Sequence, residues 1–146
     1  MSQTCRLDPF SYQCGVIDCF NEIVAAGVKS LAMSHPMPSA AERDRYLGFS
    51  REICAQYGTC FFPEDEPLLT DLFPLSLNRG KYNILYYADP AVLERYRALK
   101  ARKQELVARG EYQGEARFAI AQGFGELLSY TPEAIRRMVE KNPEKE

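Results

Sequence analysis

The sequence predicts an α/β or α+β fold: a small mixed sheet with a βαβ unit in residues 28–62, flanked by helices, and a C-terminal layer of three helices. Three observations carry that reading. Two short apolar runs, 28–33 and 60–62, bracket a stretch with helical periodicity. Residues 91–142 contain helical patterning only. Asp-Pro or Thr-Pro steps at Asp8, Asp89 and Thr131 mark helix starts, because a side-chain acceptor followed by proline suits the first turn, where N–H groups are otherwise unpaired.

The first helix runs from Pro9 toward Gly27 with Phe10, Val16, Ile17, Phe20, Ile23 and Val24 as its apolar positions. Val28 to Met33 reads as a strand leading into the loop Ser34-His35-Pro36-Met37-Pro38, which its prolines stiffen. Ser39-Ala40-Ala41-Glu42 has the form of a capping box and opens one helix of about five turns that Gly58 ends. Cys60-Phe61-Phe62 is the second strand, and strand, helix, strand implies two parallel strands. The acidic turn Glu64-Asp65-Glu66-Pro67 leads to Leu68–Phe73, read as a short strand or an irregular segment. Asn78-Arg79-Gly80 is a turn, and Tyr82–Tyr87 is the strongest strand in the chain, so a hairpin with 68–73 is an open reading. Helices then follow from Pro90 to Gly110, through Ala116–Leu128, and from Pro132 to Asn142.

With 146 residues, the chain suits one globular domain, residues 1–146, divided into a sheet-containing part (1–90) and a helical part (91–142). Residues 1–90 carry 7 basic and 11 acidic side chains, a net of −4, and residues 91–146 carry 11 and 9, a net of +2. So mild an asymmetry excludes a strongly single-signed polymer binder. The N-terminal stretch lacks the pattern of a signal peptide and the apolar runs are too short to span a bilayer, so the expected setting is cytoplasmic, with no membrane partner. Cys5, Cys14, Cys19, Cys54 and Cys60 form no regular framework, which agrees with a reducing compartment. Cys14 and Cys19 lie about 140° apart around a helix and do not share a face. With one histidine and no Cys-x-x-Cys pair, no metal site is expected.

No complete catalytic or cofactor signature is present, and the cofactor stays unknown. The candidate site therefore comes from topology: ligands of open α/β sheets bind beyond the carboxyl ends of the strands. This selects Ser34, His35 and Ser39 after the first strand and Glu64 and Asp65 after the second, with Asp89 added if the third strand is parallel. A helix starting after Ser39 would point free N–H groups at the same crevice, which favours an anion. The expected function is binding of a small anionic molecule by these residues. One alternative is an enzyme with His35 as catalytic general base, oriented by Asp65 or Glu64. Another is a protein or nucleic-acid interaction module using the C-terminal helices, where Arg95, Arg97, Lys100, Arg102 and Lys103 form a basic run. The pI of about 5.6 argues against nucleic acid. The aromatic residues could also supply a homodimer contact.

Asp8, Asp89 and Thr131 are assigned to helix capping, and Glu64–Glu66 and the basic run also read as solvated surface. Asp71 is expected to pair with Arg79 or Lys81, and Arg79-Gly80-Lys81 could touch a phosphate without being a Walker loop. Gly123 and Gly125 are expected where another helix approaches closely, with ligand contact as the alternative.

Overall fold

In the computed structural model, which describes residues 5–146, seven helices and three strands are formed among the described residues. Residues 1–4, part of the stretch read as lacking a signal peptide, lie outside them. Helix α1 (Pro9–Ala25) starts where Asp8 accepts a hydrogen bond from the Ser11 N–H at 2.9 Å. Strand β1 (Leu31–Met33) follows, then α2 (Ala40–Asp44), α3 (Leu47–Tyr57) and β2 (Cys60–Glu64). After the short helix α4 (Leu75–Asn78) come β3 (Asn83–Tyr87), α5 (Pro90–Ala108), α6 (Gly114–Leu127) and α7 (Pro132–Lys141). Asp89 and Thr131 cap α5 and α7 by accepting from Ala91 N–H (2.9 Å) and Ala134 N–H (3.1 Å).

The sheet is antiparallel throughout, in the order β1-β3-β2, which corrects the expected mixed sheet. The strand–helix–strand unit is present and β1 and β2 do run the same way, but β3 lies between them and pairs with both. The physical reason is burial. All five residues of β3 are buried: the central position pairs both of its edges, and the packed layers on either side cover its two faces. Pro63, which has no N–H to donate, sits in β2 at the sheet edge.

The hairpin with 68–73 does not form, because that segment bonds to side chains. Leu68 N–H donates to Tyr96 OH (2.9 Å) and Leu72 N–H to Thr70 Oγ1 (3.1 Å), while the carbonyls of Asp71 and Phe73 accept from Asn142 Nδ2. Nor is 40–57 one helix of five turns: it breaks at Arg45–Tyr46. The break directs the buried Arg43 to the ends of β2 and β3 and seats the buried Tyr46 against Phe10 and His35.

Alternate residues of β3 supply two cores, as a period of two requires. Ile84 and Tyr86 face α1 and α3, with Ile17, Val24, Ala32 and Cys54. Leu85 and Tyr87 face the helical layer, with Leu31, Leu93, Tyr96, Phe124 and Ile135. On the first side Asn21 bridges Ile17 O and Thr59 Oγ1, and the Tyr86 hydroxyl lies 2.7 Å from Ser50 Oγ. Gly125 lies where a Cβ would meet Ile135 Cγ1 at 2.5 Å, so its expected role in close helix approach is fulfilled between α6 and α7. No helix among the described residues is long and apolar enough to cross a membrane.

Candidate functional site

The carboxyl ends of β1 and β2 and the start of β3 share one end of the sheet, and the residues expected there have divergent fates. Ser34 is buried and fully engaged: its Oγ accepts from Ile84 N–H (2.9 Å) and donates to His35 O (3.2 Å). It prolongs the β1–β3 pairing. His35 is half-buried and edge-on to Tyr46, with ring centroids 5.2 Å apart. Burial lowers its pKa against the opposing pull of Glu42, and its Nδ1 is buried with no partner among the described residues. A neutral imidazole follows. Neither proposed orienting carboxylate holds it, since Asp65 bonds Arg43 (2.9 Å) and Glu64 bonds Lys100 (3.0 Å). Ser39 is exposed and accepts from Glu42 N–H (3.1 Å), capping a helix of only five residues, too short for an N-terminal anion site. Asp89 lies at the other end of the sheet, since β3 runs opposite to its neighbours.

Arg43, which the sequence did not single out, ties this end together. Its guanidinium reaches Asp44, Asp65 and the carbonyls of Glu64 and Asn83. Burial works against its charge, but the bonds to Asp44 and Asp65 prevail and hold its pKa above the ordinary value.

Just beyond β2, a cleft of about 560 Å³ opens between the segment 65–69, the 78–81 turn and α5. That volume falls within the usual range for small-molecule sites, about 300–1,000 Å³. One wall carries Pro67, Leu68 and Leu69, and the other carries Val107 and Ala108. Gly80, with φ +69°, turns the chain so that Lys81 reaches the rim. Lys100 and Lys103, three apart and so on one face of α5, point inward, whereas Arg97 and Arg102 pair on the helix surface with Glu94 and Glu105. Of the residues expected at the strand ends, only Asp65 lines the cleft directly; Gly80 and Lys81 of the Arg79-Gly80-Lys81 turn and Lys100 and Lys103 of the basic run line it as well.

Glu64 acts from behind. Its side chain, 7% exposed, accepts from Lys100 Nζ (3.0 Å) and Glu66 N–H (3.0 Å), and Lys100 also donates to Glu66 O (2.7 Å). Burial and the neighbouring Glu64 charge both push the Tyr96 pKa up, so its hydroxyl stays protonated. Lys100 is therefore bound to the protein, and Lys103 is bound to Leu69 O and to Glu146. Lys81 has no ion-pair or hydrogen-bond partner for its ammonium among the described residues. The i, i+3, i+7 spacing of Lys100, Lys103 and Val107 is the signal that could have found this wall.

Asp71 corrects another expectation. Its partner is Arg117, with Nε–Oδ2 at 2.6 Å and Nη2–Oδ1 at 2.8 Å, and neither Arg79 nor Lys81. Burial alone would raise its pKa; the bonds from Arg117 and the Glu146 N–H outweigh it and hold the carboxyl below its ordinary value. Among the described residues no cluster of three or more potential metal ligands occurs, and all five cysteines are free, Cys14 and Cys54 buried and Cys5 and Cys19 exposed. Compared with protein-family models, curated proteins and solved structures, the chain matched none.

Proposed function

We propose that the protein binds a small molecule with an apolar body and one negatively charged group in the cleft beside the carboxyl end of β2. The observation that carries this is an unpartnered lysine, Lys81, at the rim of a cleft whose walls are Leu68, Leu69, Val107 and Ala108. Val107, 55% exposed, is a large apolar side chain left facing that space, and a ligand body covering it would gain by leaving water. The anionic group would meet Lys81, since the charge of Lys100 is already neutralised by Glu64. Ser34, His35 and Ser39 take no part.

The test compares octanoate and 4-phenylbutyrate with octylamine, which reverses the charge, by thermal shift and calorimetry on the full chain. The carboxylates should raise the melting temperature and octylamine should not. The shift should disappear in Lys81→Ala and in Val107→Glu, which places a carboxylate on the apolar wall. Absence of any carboxylate shift, or an equal shift in both variants, would reject the reading.

A further inference from the structure

A second group of polar side chains lies across Lys103 from the cleft, and it already holds an acidic residue of this chain. Glu146 is received at all of its polar groups. Its Oε1 accepts from Lys103 Nζ and its Oε2 from Tyr112 OH at 2.6 Å. Its main-chain oxygen accepts from Arg117 Nη2 at 2.5 Å, and its N–H donates to Asp71 Oδ1 at 3.3 Å. The receiving groups come from 71, 103, 112 and 117, so the arrangement is assembled by the tertiary fold and is not a local turn. Arg117 is itself fixed in place by its two bonds to Asp71, and the Tyr112 ring lies beneath both the Lys103 and Arg117 cations, at 5.2 and 5.6 Å.

Charge arithmetic defines what fits. Lys103 and Arg117 against Asp71 leave one net positive charge, which matches a single carboxylate; a dianion such as phosphate would face Asp71 uncompensated. Asp71 in turn demands a donor, which an amino-acid nitrogen supplies. The hold on Glu146 is also separable from the rest of the tail. Residue 142 anchors the segment, since buried Asn142 bonds Asp71 O and Phe73 O, and Glu144 O accepts from Leu75 N–H. Pro143 to Glu146 are exposed, and the contacts of Glu146 described above are all polar.

We infer that Asp71, Lys103, Tyr112 and Arg117 form a binding site for an acidic amino-acid residue, and that Glu146 is its resident, exchangeable occupant. The site is distinct from the cleft and does not depend on the cleft's ligand. Lys103 is the wall the two share.

The test uses the full chain with Glu146→Ala, which empties the carboxylate position and leaves the Asn142 anchor in place. N-acetyl-L-glutamate α-methylamide, which carries one carboxylate, its neutral glutamine counterpart and inorganic phosphate are titrated into it and into wild type, followed by amide NMR shifts. An intramolecular competitor acts at high effective concentration, so N-acetyl-L-glutamate α-methylamide should bind the variant at least about tenfold more tightly than wild type. Adding Tyr112→Phe, which removes one hydroxyl and keeps the ring, should weaken binding, and adding Lys103→Met should abolish it. Adding Lys81→Ala should leave it unchanged, which separates this site from the cleft. Three results would overturn the inference: no saturable binding to Glu146→Ala, equal affinity for the glutamine analogue or phosphate, or binding indifferent to Tyr112→Phe in a folded variant.

Discussion

Replacing Lys100 by methionine should destabilise the protein far more than loss of one partly exposed lysine would suggest. Methionine keeps most of the aliphatic stem and removes the ammonium, leaving the Glu64 carboxylate, 7% exposed, with only the neutral Glu66 N–H and Tyr96 hydroxyl as partners. A buried charge stripped of its counter-ion costs about 3–5 kcal/mol. Because Lys100 is 24% exposed and water can reach part of the vacated volume, the lower end applies, about 3 kcal/mol. With a urea slope of about 1.5–2 kcal/mol/M for a chain of this size, the unfolding midpoint should fall by about 1.5–2 M. The double variant Glu64→Gln/Lys100→Met removes both charges and keeps an acceptor for Glu66 N–H, so it should return to within about 1 kcal/mol of wild type. Urea denaturation followed by circular dichroism measures all three proteins. A single variant within about 1 kcal/mol of wild type, or a double variant no more stable than the single, would refute the assignment of Glu64 and Lys100 as a buried, mutually dependent pair.

Two further outcomes follow from the same reasoning. The one histidine should titrate below the ordinary value of about 6.5, read from its Hε1 resonance in NMR. Because the folded pKa is the lower one, the unfolded chain binds more protons between the two values: stability is full above about pH 6.5 and declines as pH falls toward the folded pKa. His35→Asn should remove that part of the decline, and a midpoint at or above 6.5 would contradict the burial argument. Gly125→Ala should cost about 1–3 kcal/mol by overpacking against Ile135, less up to about 1 kcal/mol gained in helix propensity. In an Ile135→Ala background the same change should be neutral or stabilising, and thermal melts showing an equal penalty in both backgrounds would disprove the contact.

What was legible in the sequence was local. Asp8-Pro9, Asp89-Pro90 and Thr131-Pro132 carry both halves of a helix start within two residues, and all three cap as expected. Tyr82–Tyr87 declared itself a strand by composition, but its central place depends on which strands it meets, and no pattern inside the segment records that. Asp71 shows the same limit. The nearest basic residues in sequence were the natural partners to expect, and the real one lies 46 residues away. At this end of the sheet Asp65 of the second-strand loop lines the cleft, whereas the Ser34 hydroxyl is taken up by Ile84 N–H and His35 O, and His35 lies edge-on to Tyr46. Lys100 and Lys103 looked like a solvated helix face because the segment that covers them, 65–69, belongs to a distant part of the chain.

The central strand is also the last of the three to be synthesised. At roughly 5–20 residues per second, β1 precedes the completed β3 by about 3–11 s and β2 precedes it by about 1–5 s. Until then neither edge has its partner, and Phe61, Phe62 and Ala32 have no sheet to join. Once β3 arrives it supplies the missing hydrogen bonds to both strands and a face for the helices that follow. Neither native pairing of the sheet can therefore form before that one five-residue segment is available.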